Sequence, residues 1–274
     1  MVKNLLLMVE NICVDSTTSK ELKLFPLISL VKKAITPLLN ESNVNWSKSD
    51  ATPVSNTDIL IQDFLIKLIT TKYPNDNLLF EEGEQNSIKK SSNYTWIIDP
   101  IDGTQNLIEG KKEYSISIGI MYGNEFIESF VYFPAYNIDL YAIKEKGVWI
   151  NGEKKISDLG NSKSNSIILC SKTVNSLGPT FQSLGYEIKF YRCATYSVLQ
   201  VLMQNSLFYH TINTMLYDVG PMAHILSEYG MNSYNGLLEN IQFTPSLERI
   251  PFFISANSKF HFNSELKKSL KIQI

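Results

Sequence analysis

Asp99 and Asp102 stand three positions apart in the stretch YTWIIDPIDGTQNL, residues 94–107, where a run of β-forming apolar residues drives into a turn. Pro100 stiffens that turn, Gly103 permits close backbone approach or positive φ, and Thr104 can cap the segment after it. Two hard oxygen ligands on a rigid turn, with free amides at a nearby helix start, suit Mg2+ and a phosphate together. A plain Asp-Gly turn explains the same residues without any ligand. A calcium loop fits poorly, because the aspartates do not follow the D-x-D-x-[DN]-G alternation. Glu81 and Glu82 also lie directly past an apolar run, LLF at 78–80. Adjacent carboxylates repel, so a cation between strand ends accounts for them, and so does a solvated acidic loop. Asp218, in MLYDVGPMAHIL, opens an apolar-periodic helix and reads as an N-cap, a role that leaves metal ligation open.

The elements that must position these groups are legible in outline. Residues 1–40 read as helical, interrupted around Pro26 and ending near Pro37, with Leu5, Met8, Val9 and Ile12 on one face. Residues 45–58, NWSKSDATPVSNTD, read as a loop or irregular hairpin. From Asp58 the stripe Ile61, Phe64, Leu65, Leu68 and Ile69 predicts an amphipathic helix. LLF (78–80) and YTWII (94–98) are buried strands ending at the carboxylates. YSISIGIMY (114–122), EFIESFVYF (125–133), IDLYAI (138–143), VWI and NGEKK form an antiparallel meander turned by Gly and Asn. The second half mixes strands at SIILC, IKFY, LFYHTI and FFIS with helices near 196–204, 219–229 and 264–271. The order predicts a layered α/β sandwich with two continuous halves.

The chain has 274 residues, 44% apolar and 19% charged, with a net charge of −2 and no basic block. That is globular composition without an electrostatic case for nucleic acid or a membrane surface. No stretch approaches a membrane span, and the N-terminal apolar run is too short for a signal peptide. Cys13, Cys170 and Cys193 are far apart and in no metal-like spacing. They read as reduced core cysteines of a cytoplasmic protein.

WIIDPIDGTQN resembles the D-P-[IL]-D-G-T-x-N signature of the Mg2+-dependent, lithium-sensitive inositol monophosphatase superfamily. LLFEE (78–82) is similar to its strand followed by an acidic pair, YDVGP (217–221) to its W-D-x-A-[AG], and KEKGVWINGEK to its glycine hairpin. PFFISAN is similar to its closing strand. KSDATPVSNTD (48–58) resembles a motif found also in the bisphosphate nucleotidase and histidinol-phosphatase branches. Order and spacing agree over nearly the whole chain. The resemblance implies an α/β fold, a layered αβαβα sandwich of the sugar-phosphatase type with an antiparallel meander in the N-terminal half. It implies one domain over 1–274, with a metal half at roughly 1–155 and a substrate-capping half at 156–274.

The same resemblance implies that Glu81, Asp99 and the carbonyl of Ile101 bind a first Mg2+. Asp99, Asp102 and Asp218 would bind a second, with a third, weaker ion near Glu81. These ions would neutralise the phosphate and lower the pKa of a water. Thr104 would orient that water, with Asp58 accepting its hydroxyl proton, and the amides of Gly103 and Thr104 would cradle the phosphate. No histidine is needed, and His210, His224 and His261 read as structural or exposed. The implied substrate is a small phosphorylated metabolite, bound near Gly103, Thr104 and Asp218. Inositol monophosphate comes first, a 3′(2′),5′-bisphosphate nucleotide second, and histidinol phosphate third; a non-catalytic phosphometabolite binder is the alternative of another class. A homodimer is implied as well. Departures from the pattern are Phe80, Tyr217, Gly220-Pro221 and the missing double glycine in GMNSYNG (230–236). Thr211 stands where the inositol-preferring branch carries an acid, and a threonine cannot accept polyol hydrogen bonds as a carboxylate does.

Overall fold

Residue alternation along the strands sorts the core into layers. The computed structural model describes residues 22–39, 45–47, 53–82, 92–157, 164–246, 249–256 and 260–271. The helix expected at Leu5–Ile12, Cys13, and the 48–52 part of the KSDATPVSNTD motif lie outside them. A 3-10 turn holding Pro26 leads into helix α1 (Ile28–Leu38), which closes one residue past Pro37. Strands β1 (Asn45–Ser47) and β2 (Pro53–Ser55) pair as the antiparallel hairpin expected, and α2 (Asn56–Lys72) follows.

A seven-stranded sheet then runs β3 (Asn77–Phe80), β4 (Tyr94–Asp102), β5 (Ser115–Tyr122), β6 (Glu125–Phe133), β7 (Ile138–Ile143), β8 (Gly147–Ile150) and β9 (Glu153–Lys155). Only β3 and β4 pair in parallel; the rest is the predicted meander. On β6, Phe130 and Tyr132 face α1 and α2, packing with Ile35, Ile61 and Leu65. Val131 and Phe133, one residue out of phase, face the opposite layer, as the period of two requires.

That opposite layer is a helix pair, α5 (Ala194–Leu202) and α6 (Leu216–Glu228). Beyond it lies a five-stranded sheet of β10 (Ser166–Leu169), β11 (Glu187–Lys189), β12 (Phe208–Thr214), β13 (Asn232–Tyr234) and β14 (Ile250–Ala256), ordered β11-β10-β12-β14-β13. Ile168, Tyr209 and Phe253 point back to the helix pair. Ile167, Phe208 and Phe252 point outward to α4 (Val174–Ser183) and α7 (Ser264–Lys271) through Leu177, Phe181, Leu266 and Leu270. The result is the expected αβαβα sandwich.

Three local differences have physical causes. Helix α4 is not among the helices expected from the sequence; it contains Gly178 and Pro179, which are tolerated in a helix whose Leu177 and Phe181 are buried. Strand β4 does not stop at Ile98: it continues through Asp99 to Asp102, with its pairing to β5 shifted between those two residues. On β5 the face opposite Ile116, Ile118 and Ile120 is also buried, because Ser117 and Gly119 leave room for α6. The Gly220 and Pro221 departures belong to the same contact. A Cβ on Gly220 would come within 2.7 Å of the Phe126 ring, and Pro221 packs toward Gly119. Among the described residues, no helix is long and apolar enough to cross a membrane.

Candidate active site

The shift in β4 pairing aims Asp99 and Asp102 at one cavity of about 400 Å³. Glu81, just past β3, and Asp218, in the first turn of α6, reach the same cavity from other elements, with Ile101, Gly103 and Thr104 between them. Gly103 holds the turn at φ +89°, and a Cβ there would lie 2.7 Å from the Glu113 carbonyl oxygen. Only glycine meets both conditions. Gly103, not Thr104, occupies the N-cap position of the short helix α3 (Thr104–Ile108). The expectation that Thr104 caps this helix is therefore corrected: its hydroxyl is turned to Asp58 Oδ1 at 2.8 Å and the Ile101 carbonyl oxygen at 3.0 Å.

Asp58 is fully buried in the first turn of α2, where its carboxylate accepts hydrogen bonds from the Ser55 amide and hydroxyl. Burial still pushes its carboxyl above the usual range, against those hydrogen bonds and that of Thr104. Asp218 is likewise not the N-cap read from sequence. It lies three residues into α6 beyond the cap residue Met215, accepting from the Met215 amide at 2.8 Å and the Thr214 hydroxyl at 2.7 Å. Burial, then Asp102, raises its carboxyl to about 6.

Asp99 is the most exposed to repulsion. Burial, then Glu81, Asp102 and Asp218, push its carboxyl well above the usual range, and its Oδ1 is buried without a hydrogen-bond partner. Asp102 is fully engaged. The Thr195 amide and hydroxyl each donate to its Oδ2 at 2.6 Å, the Cys193 thiol at 3.1 Å, and the Ala194 amide to Oδ1 at 3.2 Å. Cys193 is thus a site residue rather than an inert core cysteine, and half-buried Cys170 lines the cavity too. Both are free thiols. Burial and the neighbouring Asp102 raise the Cys193 thiol well above the usual range.

The donor set suits Mg2+. It is all carboxylate and carbonyl oxygen, it repels itself, and an oxygen of Asp99 is buried without a partner. Among the described residues no three His, Cys, Asp or Glu side chains are grouped closely enough to hold a metal ion by themselves. Mg2+ keeps several waters and binds through one or two carboxylates together with substrate phosphate, so it does not need such a group. Of the histidines, His210 and His224 are buried in the core and His261 is exposed.

Residues 17–251 match the inositol monophosphatase family. The chain belongs to that family. An inositol monophosphatase of Dictyostelium discoideum is 36% identical over 101 residues, covering 36% of this chain and 37% of that protein. A 3′(2′),5′-bisphosphate nucleotidase of Haemophilus influenzae is 29% identical over 120 residues, covering 43% and 45%. Each match thus spans less than half of the relative's length. A solved IMPase/NADP phosphatase, complexed with Mg2+ and phosphate, superposes with a TM-score of 0.77 at 22% identity, covering 91% of this chain and 92% of that one. At that identity the likeness is one of fold.

Within the family fold, the motif residues Glu81, Asp99, Ile101, Asp102, Gly103, Thr104 and Asp218 line one cavity, and Asp58 stands behind Thr104. Sequence reasoning missed the facing residues Cys193, Ala194 and Thr195, which hold Asp102. The stretch RCAT, which caps and opens helix α5 with Cys193 at the N-cap position, was the available signal. It also missed Phe190 and Arg192 at the cavity and Lys172 and Arg249 beside it, for which no local pattern exists.

Proposed function

We propose that this protein is a Mg2+-dependent phosphomonoesterase that hydrolyses a small phosphorylated metabolite. The carrying observation is the Asp58–Thr104 pair set against the carboxylate-lined cavity. Glu81, Asp99, the Ile101 carbonyl, Asp102 and Asp218 would hold two or three Mg2+ ions. When bound, these would neutralise the phosphate and make a water acidic enough to lose its proton near neutral pH.

The chain's own groups then position the reactants. Thr104 has one hydroxyl hydrogen, and donating it to Asp58 leaves its oxygen lone pairs to accept from the attacking water. Asp58, buried and held by Ser55, takes the proton passed through that hydroxyl. Glu81, at the edge of the carboxylate cluster, stands beside the water as a further base. The backbone amides of Gly103 and Thr104 cradle the phosphate oxygens. The leaving oxygen takes a proton from solvent at the open side of the cavity and departs there as the alcohol.

Inositol monophosphate is the first substrate reading, supported by family membership. A 3′(2′),5′-bisphosphate nucleotide is the second, supported by the Lys48 to Asp58 motif, with Thr211 counting against inositol because the inositol-preferring pattern has an acid there. The same proposal takes residues 1–274 as one domain, forming a homodimer that light scattering would detect. The test is phosphate release with Mg2+ from inositol phosphates, 3′-phosphoadenosine 5′-phosphate, histidinol phosphate and fructose 1,6-bisphosphate. Turnover that is lost in Asp99→Asn and inhibited by lithium supports the reading. No turnover of any compound leaves a phosphometabolite binder instead.

A further inference from the structure

Beside the carboxylate cavity, and sharing Glu81, Cys170, Ser171 and Asp218 with it, lies a second cavity of about 330 Å³. Its far rim is cationic. Lys172 Nζ donates to the Asn213 carbonyl oxygen at 2.8 Å, and Arg249 Nη1 donates to that same oxygen at 3.0 Å. Lys172 comes from the turn between β10 and α4, and Arg249 from the residue before β14, so the tertiary fold alone brings them together. Two cations on one neutral carbonyl repel each other, and a carbonyl dipole offsets only part of a full charge. Among the described residues neither forms an ion pair with a carboxylate, although the Lys172 charge favours the ionised Asp218, and the neutral Thr211 lines the same cavity. Asn213 itself is held at φ +49°, a left-handed conformation that asparagine tolerates.

A pair of cations converging on one point, with spare donors and an open cavity in front, has the charge and the donors to take an anion. We propose that Lys172 and Arg249 bind a second anionic group of the substrate, which favours the second substrate reading over the first: a phosphomonoester carrying a further phosphate rather than the monophosphate of an uncharged polyol. This inference rests on the phosphatase reading and names its substrate class. The acidic end takes the ester to be cleaved; the cationic rim takes the group that stays. Specificity then comes from charge at the far ends of two adjoining cavities, with Thr211 adding no further carboxylate to the second one.

The test uses matched pairs that differ by one phosphate: 3′-phosphoadenosine 5′-phosphate against adenosine 3′-monophosphate, and inositol 1,4-bisphosphate against inositol 1-phosphate. The wild-type protein with Mg2+ should prefer the doubly phosphorylated member of at least one pair in kcat/KM. Lys172→Ala and Arg249→Ala should each lower that preferred kcat/KM about 10- to 100-fold, chiefly through KM, as loss of a charge-assisted hydrogen bond does. The monophosphate should change by less than about 3-fold, and the preference should shrink as salt rises. Equal loss on both members means the cations only offset the acidic wall, and overturns the proposal. So does the absence of preference in either pair.

Binding of the same pairs to Thr104→Ala protein with Mg2+ separates this inference from the reading beneath it. If no substrate is turned over but the bisphosphate binds more tightly and loses that advantage in Lys172→Ala, the phosphatase reading fails and the anion site stands. If both members bind alike, the anion site fails.

Discussion

The wall of the cavity built from β3, β4 and α6 carries Glu81, Asp99, Asp102 and Asp218, whereas the rim opposite, from the β10–α4 turn and the start of β14, carries Lys172 and Arg249. In the acidic wall Asp99 is buried and its neighbours half-buried, and short bonds to the chain hold it: Asp102 by the start of α5, Asp218 by Met215 and Thr214. The basic rim is exposed, on two long side chains that meet at a single carbonyl. A wall of like charge around a buried Asp99 is costly and tolerates little change, while an exposed rim adjusts its charge freely. In the proposed reading the chemistry is tied to the first and the choice of substrate to the second.

Removing a ligand from the acidic wall should have the largest effect. Asp99→Asn should lower kcat/KM by on the order of 10³-fold, since several kcal/mol of charge stabilisation are lost. The same change should raise Tm in EDTA, because Asp99 is repelled by Glu81, Asp102 and Asp218. A fall in Tm would mean that the wall is not under electrostatic tension.

Protons should pull the acidic wall and the core beneath the basic rim in opposite directions. His210, in β12, is lowered to about 4 by burial, below its ordinary 6.5. The unfolded chain takes that proton first, so stability is full above pH 6.5 and falls by about 3 kcal/mol as pH drops toward 4. In His210→Phe, denaturant unfolding across that window should lose this part of the slope. Asp218, raised to about 6, has the reverse sign: metal-free stability falls as pH rises from the ordinary carboxylate range through 6. The gain in Tm on adding Mg2+ should accordingly be larger at pH 8 than at pH 5.

Thr104→Ala should reduce kcat about 10²-fold with little change in KM, and Thr104→Ser should recover most of it, since only the hydroxyl is used. A fall in KM alone would place Thr104 outside the chemical step. The smallest effect belongs to the link between walls. Thr195→Ala removes one of the hydrogen bonds that orient Asp102 and should raise the Mg2+ concentration for half-maximal activity about 10-fold.

Much of the acidic wall was legible because its residues sit in contiguous motifs. DPIDGT places Asp99, Asp102, Gly103 and Thr104 within six residues, and LLFEE puts Glu81 at a strand end. The layers were legible for a similar reason, since alternation such as Phe130, Val131, Tyr132, Phe133 assigns each side chain to a face. Helix α4 was hidden by Gly178 and Pro179, because propensity is local and the burial of Leu177 and Phe181 is not. The caps were misassigned for the opposite reason. Thr104 and Asp218 have N-cap chemistry, yet Gly103 and Met215 occupy the cap positions and leave those side chains to other partners.

Chain order was enough to point to the family, the layered sandwich and the carboxylates that line the cavity, because periodicity and motif spacing act over a few residues and survive without a tertiary context. It took the folded chain to place Asp58 behind Thr104, to set Thr195 and Cys193 against Asp102, and to bring Lys172 and Arg249 to the carbonyl of Asn213. The first of these contacts joins residues 46 positions apart, and the grip on Asp102 spans 93 and 91. The energy of such pairs depends on burial and distance between charges, which chain order does not encode. The YTWIIDPIDGTQNL stretch supplies the reactive turn, and the fold supplies everything that faces it.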